Sequence, residues 1–188
     1  MVAALRVDDY RIVAIDMPIG LPHDAPRACD SIARRFLGRR SSTVFPAPAR
    51  ACLSATDHAD ASARSLAAIG RGLPIQSFHL LPKIAEIDAQ LTPAHESRVF
   101  EAHPECAFVR MNDGEPLAPK RTAEGRDHRT TLLSRWFDLP RTPRCAAHDD
   151  LLDAYAMLWV AERIDRGEHM VFTDGGRDAR GLLMRIVS

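Results

Sequence analysis

Three carboxylates, Asp149, Asp150 and Asp153, stand in the first turns of HDDLLDAYAMLWVAERI, residues 148–164, a segment that is apolar almost all the way round. At ~100° per residue they fall within an arc of about 100°, on the helix face continued by Met157, Val160 and Ile164. A helix of this kind belongs inside a protein, where an ionised side chain needs a cation or hydrogen-bond partners. Asp153 lies past the capping position and carries the functional reading best. Asp149 or Asp150 serves equally well as a cap facing the positive end of the helix dipole. Two further acids belong to short strands: Asp16 closes RIVAID, residues 11–16, and Glu101 lies in RVFEA, residues 98–102. Gathered at one edge of a sheet, such acids make a hard oxygen ligand set suited to Mg²⁺ or Mn²⁺. Ions held this way orient water and stabilise the attacking and leaving oxygens of phosphodiester hydrolysis. The plainer alternatives are a turn-capping role for Asp16 ahead of Pro18 and a strand-end salt bridge for Glu101.

Positive charge gathers at Arg27, Arg34, Arg35, Arg39 and Arg40, with Arg50, Lys83, Lys120 and Arg121 farther along. Phosphate contacts are the functional use of such a patch, with Arg27, Arg34, Arg39, Arg40, Lys83 and Lys120 as candidates; a solvated helix end is the structural one. Lys plus Arg equals Asp plus Glu at 25 each, so no global field holds a polyanion, and any nucleic acid must be met by a local patch. Cys145 and His148 have zinc-compatible spacing but no second ligand pair. The chain contains no phosphate-binding glycine loop, dinucleotide fingerprint or nucleophile elbow.

The elements that must position these residues follow from periodicity and breakers. RIVAID reads as a buried strand halted by Pro18 and Pro22. Residues 27–37 read as a helix stopped by Gly38, whereas SSTVFPAPAR, residues 41–50, is barred by its prolines from regular helix and central sheet. Helices are predicted over 55–69, from near Pro82 to Leu91, from Pro104 through Met111, over 126–137 and over 148–166, and a last strand over 182–187. These elements imply an α/β fold, with residues 1–188 as a single domain. Four scattered cysteines without a Cys-x-x-Cys pair point to the reducing cytoplasm, Met1 to Leu5 is too short for a signal peptide, and no stretch is long enough to span a membrane.

Taken together, VAIDMPIGLP at 13–22, RACDSIARRFLGRRSSTVFPAPAR at 27–50, Gln76 with PKIAEID at 82–88, FEAHPE at 100–105, the Lys120, Thr122, Gly125, Arg129 spacing, DDLLDAYAMLWVA at 149–161 and GLLMRI at 181–186 resemble a known group. It is a widespread bacterial family of predicted RNase-H-like nucleases, related in fold to the RuvC resolvases. The resemblance implies a mixed sheet flanked by helices, with a divalent-metal site of acids on strands and on the C-terminal helix. Asp16 corresponds to the acid of the central strand, Asp150 and Asp153 to the helix pair, and Glu101 to the first position of Glu-x-His-Pro-Glu. Such proteins begin with a strand hairpin carrying an aspartate in a Gly-Val-Asp-Gly type segment, and Asp8 and Asp9 do not match it. An N-terminally shortened sheet is therefore expected, with an unprotected edge that favours a homo-oligomer. Two readings follow: a metal-dependent nuclease using Asp16, Glu101, Asp150 and Asp153, with Asp149 as a further metal ligand, or a non-catalytic binding or regulatory protein that keeps the acidic pocket and basic rim.

Overall fold

The computed structural model describes residues 7–188; Met1 to Leu5, read above for a leader, lies outside them. The architecture is mixed α/β. Strand β1 (Val13–Ile15) runs parallel to β2 (Val99–Glu101) in the register Val13 to Val99, Ala14 to Phe100 and Ile15 to Glu101. A bridge from Ala102 to Val187 continues β2 into β4 (Ile186–Val187), which pairs antiparallel with β3 (Val171–Phe172). Among the described residues β1 has a strand partner on one side only. Its residues are half-buried, whereas β2 is buried throughout.

The RIVAID strand is shorter than its β-branched run, and Asp16 is the first residue beyond its last paired position. Helix α1 (Ala28–Leu37) begins one residue after Arg27 and buries Cys29, Ala33 and Leu37. The SSTVFPAPAR loop closes a 3₁₀ turn at Thr43 and then runs without regular structure to Ala49. Helix α2 (His58–Ile69) is capped by Asp57, whose carboxylate accepts the Asp60 N–H, and ends at Gly70 in the left-handed region (φ 70°).

Helix α3 (Ile75–Gln90) departs from expectation by starting seven residues before Pro82, which sits inside it. Proline removes one intrahelical donor. The apolar face formed by Leu81, Ile84 and Ile87 is buried on both sides of it, and that packing outweighs the local loss. Helix α4 (Pro104–Met111) takes Pro104 at its first turn, where no N–H is needed. Helix α5 (Ala123–Leu133) starts earlier than its apolar spacing suggests, because Thr122 caps it by accepting the Gly125 N–H.

Helix α6 (His148–Asp165) packs against β1, α4 and α5. It buries Leu152, Ala156, Met157, Trp159, Val160 and Ile164. It is not enclosed all round, however: Ala154 is exposed and Leu158 is 47% exposed, so one apolar face meets solvent. The largest core cluster joins β2, α4, α5 and α6 through Phe100, Phe108, Leu132, Leu152 and Val160. No helix among the described residues is long and apolar enough to cross a membrane.

Candidate active site

A cavity of about 610 Å³ opens where β1 and β2 end, bounded by the proline loop, the start of α4, residues 119–121 and the N-terminal half of α6. Asp16, Glu101, Asp153, Arg27, Arg40 and Lys120 line it. Five chain segments with little sequence proximity thus deliver six of the predicted side chains to one space.

Asp16 is open to solvent through the cavity mouth, yet protein crowds it on its other sides. Desolvation raises its pKa, the His103 charge opposes that, Asp153 adds to it and Lys120 opposes it. Asp153 is raised too, by burial first, although Lys120 donates a hydrogen bond to its Oδ2 at 3.0 Å and pulls the other way. An acid whose folded pKa is raised favours folding only while protonated: the contribution is full below the ordinary value of 3.8 and is lost as pH rises through the folded value. Ionised Asp16 therefore costs stability at neutral pH. Asp16→Asn is expected to raise the thermal midpoint by no more than a few degrees at pH ~7, with no gain near pH 3, as read by melting curves at both values.

Glu101 is paired rather than free. Its two oxygens accept from Arg27 Nη1 at 2.7 Å, Arg27 Nη2 at 2.8 Å and the Ile19 N–H at 2.7 Å. Burial pushes the Glu101 carboxyl up to about 7 against the pull of Arg27, while Glu101 and Asp30 overcome burial to hold Arg27 well above its ordinary value. The two shifts pull oppositely on one ion pair. Three donors converging on the carboxylate favour the ionised pair. Arg27 also contacts Asp30 and the Ile19 and Gly20 carbonyls, so its guanidinium is a buried brace.

The other predicted residues are distributed more widely. Asp149 is half-buried and close enough to raise both Asp153 and Lys120, but does not line the cavity. Asp150 is exposed and reaches back to the Ala147 N–H at 3.3 Å, which is the capping role. Arg34 braces the proline loop through the Val44 carbonyl, and Arg39 and Lys83 are exposed outside the cavity. Among the described residues no group of three or more His, Cys, Asp or Glu side chains is arranged to hold a metal ion. Of the five acids expected to converge, Asp16, Glu101 and Asp153 line the cavity, with Glu101 paired to Arg27 and Lys120 against Asp153.

Three residues outside the candidate set shape the site. His103 lines the cavity, and its Nε2 lies 3.1 Å from the Thr43 carbonyl. A carbonyl only accepts, so Nε2 carries hydrogen, and Nδ1 is buried without a partner. Glu105 lines the wall and accepts from Arg40 Nε at 2.9 Å and from Arg129 Nη2 at 2.8 Å. Arg129, 1% exposed, also donates to the Ala118 and Gly125 carbonyls, and so holds the segment that presents Lys120. That segment lies directly on α5: a Cβ added to Gly125 would meet the Pro119 carbonyl oxygen at 2.1 Å.

Neither the curated proteins nor the solved structures contain a match to this chain. A family model described as a protein of unknown function, DUF429, matches residues 1–176, and the chain belongs to that family.

Proposed function

We propose that the cavity hydrolyses phosphodiesters with the aid of a divalent cation, Mg²⁺ or Mn²⁺, on an RNase-H-like fold that has diverged as a nuclease-type scaffold. The observation that carries this reading is the pairing of Asp16, at the end of β1, with Asp153 on α6: two carboxylates raised by burial in one cavity, the second adding to the strain on the first. A cation between such groups relieves both desolvation and repulsion. The donor set fits one hard ion bound through one or two carboxylates and otherwise through water and substrate oxygens, which is the habit of Mg²⁺, and does not fit a closed protein cage. When bound, the ion would supply Lewis-acid stabilisation of charge on the phosphoryl oxygens.

The chain's own groups have separable roles. Asp16 and Asp153 supply the negative charge. Lys120 and Arg121 on one wall and Arg40 on another offer charge to substrate oxygens. The Thr43 carbonyl fixes the Nε2–H of His103 and leaves Nδ1 as the ring atom that can accept a proton. Hydrolysis of the ester consumes one water and yields a phosphomonoester and an alcohol, so a proton must leave the water and one must reach the leaving oxygen.

One observation favours the second reading, a non-catalytic binding protein: the Lys120 ammonium already neutralises Asp153. Calorimetric titration of the full chain with Mn²⁺, followed by cleavage of bis(4-nitrophenyl) phosphate, separates the two. Mn²⁺ binding with Mn²⁺-dependent release of nitrophenolate is expected. Binding without turnover would favour the second reading, and absence of binding would sink the first.

A further inference from the structure

We infer that the cavity takes a nucleotide, with Phe45 as the platform on which the nucleobase stacks; this rests on the phosphodiester reading for the phosphate end and on independent observations for the base end. The cavity lining is chemically mixed. Asp16, Asp153 and Lys120 contribute charge to its lining, and the proline loop with Leu80 and Ile84 of α3 contributes apolar surface. Its volume, about 610 Å³, lies in the range of small-ligand sites.

Phe45 is 52% exposed while lining this cavity. A lone exposed apolar side chain ordinarily needs no explanation. Phe45 differs in its surroundings. Phe36, Phe78, Phe100, Phe137 and Phe172 each pack against another aromatic ring, and Phe108 lies under the Arg129 guanidinium. Phe45 alone among the phenylalanines has no such ring or cation partner among the described residues. It is also held in place, since Pro46 follows it, the buried Ala47 N–H donates to Asp30 Oδ2 at 3.0 Å, and Val44 is anchored by Arg34. A rigid, unpartnered aromatic face at a cavity mouth is what base stacking requires.

The second observation is polar. Ser77, on the first turn of α3, is 3% exposed, lines the same cavity, and its Oγ has no hydrogen-bond partner. A buried hydroxyl without a partner carries a desolvation cost that a ligand can relieve. A hydroxyl both donates and accepts, so it suits the mixed edge of a nucleobase better than a purely apolar group. A nucleoside phosphate matches both kinds of lining at once, its phosphate meeting the charged groups and its base Phe45 and Ser77.

The test is calorimetric titration of the full chain with thymidine 5′-monophosphate, thymidine and inorganic phosphate, each with and without Mn²⁺. The monophosphate is expected to bind about tenfold more tightly than inorganic phosphate, a margin within the reach of one stacked base. Phe45→Ala should remove that margin and leave the phosphate affinity unchanged, while Phe45→Trp should keep it. Because Phe45 is exposed, the alanine variant is expected to fold, and a melting curve matching the unsubstituted protein verifies it. Equal affinities for the two phosphates, or a margin untouched by Phe45→Ala, would overturn the subsite. Thymidine without Mn²⁺ reports on the base end alone. If its binding depends on Phe45 but no Mn²⁺-dependent phosphate binding is seen, the metal reading fails and the subsite stands. A short oligothymidylate identifies the source: displacement of the monophosphate indicates a strand end, and failure to displace it indicates a free nucleotide, with either outcome supporting the subsite.

Discussion

Asp153→Asn is expected to lower kcat/KM for Mn²⁺-dependent phosphodiester cleavage by about 10²-fold or more, the scale on which losing one charge-stabilising group acts in a dry site. The substitution keeps the side chain's shape, and the amide oxygen can still accept from Lys120 Nζ, which now lies 3.0 Å from the carboxylate. Only the charge is lost. At the same time Lys120 loses the anion that holds its pKa up against burial, so the charge balance of the wall shifts toward positive. Affinity for Mn²⁺ should fall while affinity for inorganic phosphate without metal is retained or rises. Paired titrations with Mn²⁺ and with phosphate, alongside the kinetics, check this. Unchanged Mn²⁺ affinity in the variant would remove Asp153 from the ligand set.

The largest stability loss is expected from Arg129→Met, about 3–5 kcal/mol, the usual result of removing one partner of a buried ion pair. Met fills much of the volume, but Glu105, whose side chain is 7% exposed, keeps its charge and loses the Arg129 Nη2 that meets both its oxygens. Burial raises the Glu105 pKa, and the hydrogen bonds from Arg129 and Arg40 outweigh it to hold the group below its ordinary 4.5. A depressed carboxylate contributes stability that is present above the unfolded value and lost as pH falls through the folded one. The defect should therefore be larger at neutral pH than near pH 4, where protonation relieves a charge left with Arg40 as its partner. Urea unfolding at both pH values reads it. A loss below about 1 kcal/mol at neutral pH, the scale of an exposed pair, would mean that the network carries little of the fold.

Legibility in the sequence tracked how local each signal was. The ends of the Asp16 and Glu101 strands were readable because a β-branched run and a short Val-Phe run are halted by Pro18 and Pro104, and both form strands. Asp153 could be singled out because it lies beyond the cap. Asp149 and Asp150 could not be told apart, since one residue of helix phase decides which carboxylate caps, and the structure gives that role to Asp150. The start of α3 was obscured by Pro82, a strong local breaker overridden by packing. The pairing of Glu101 with Arg27 spans 74 residues, and that of Arg40 with Glu105 spans 65, so neither leaves a local trace. His103 and Phe45 were hidden for the same reason: their roles depend on a cavity that exists only once distant segments meet. Arg129 sits in a polar helix at the spacing of Leu132 and Leu133, and it is among the most buried side chains of the described residues.

The close seating of the Lys120 segment on α5 has a consequence for how this cleft could drift or be retuned. Its electrostatic set point depends on hydrogen standing where a methyl group would otherwise be, at Gly125. Any larger residue would force residues 118–119 and the helix to shift against each other, disturbing the setting of the ammonium against Asp153 without altering a single charged residue.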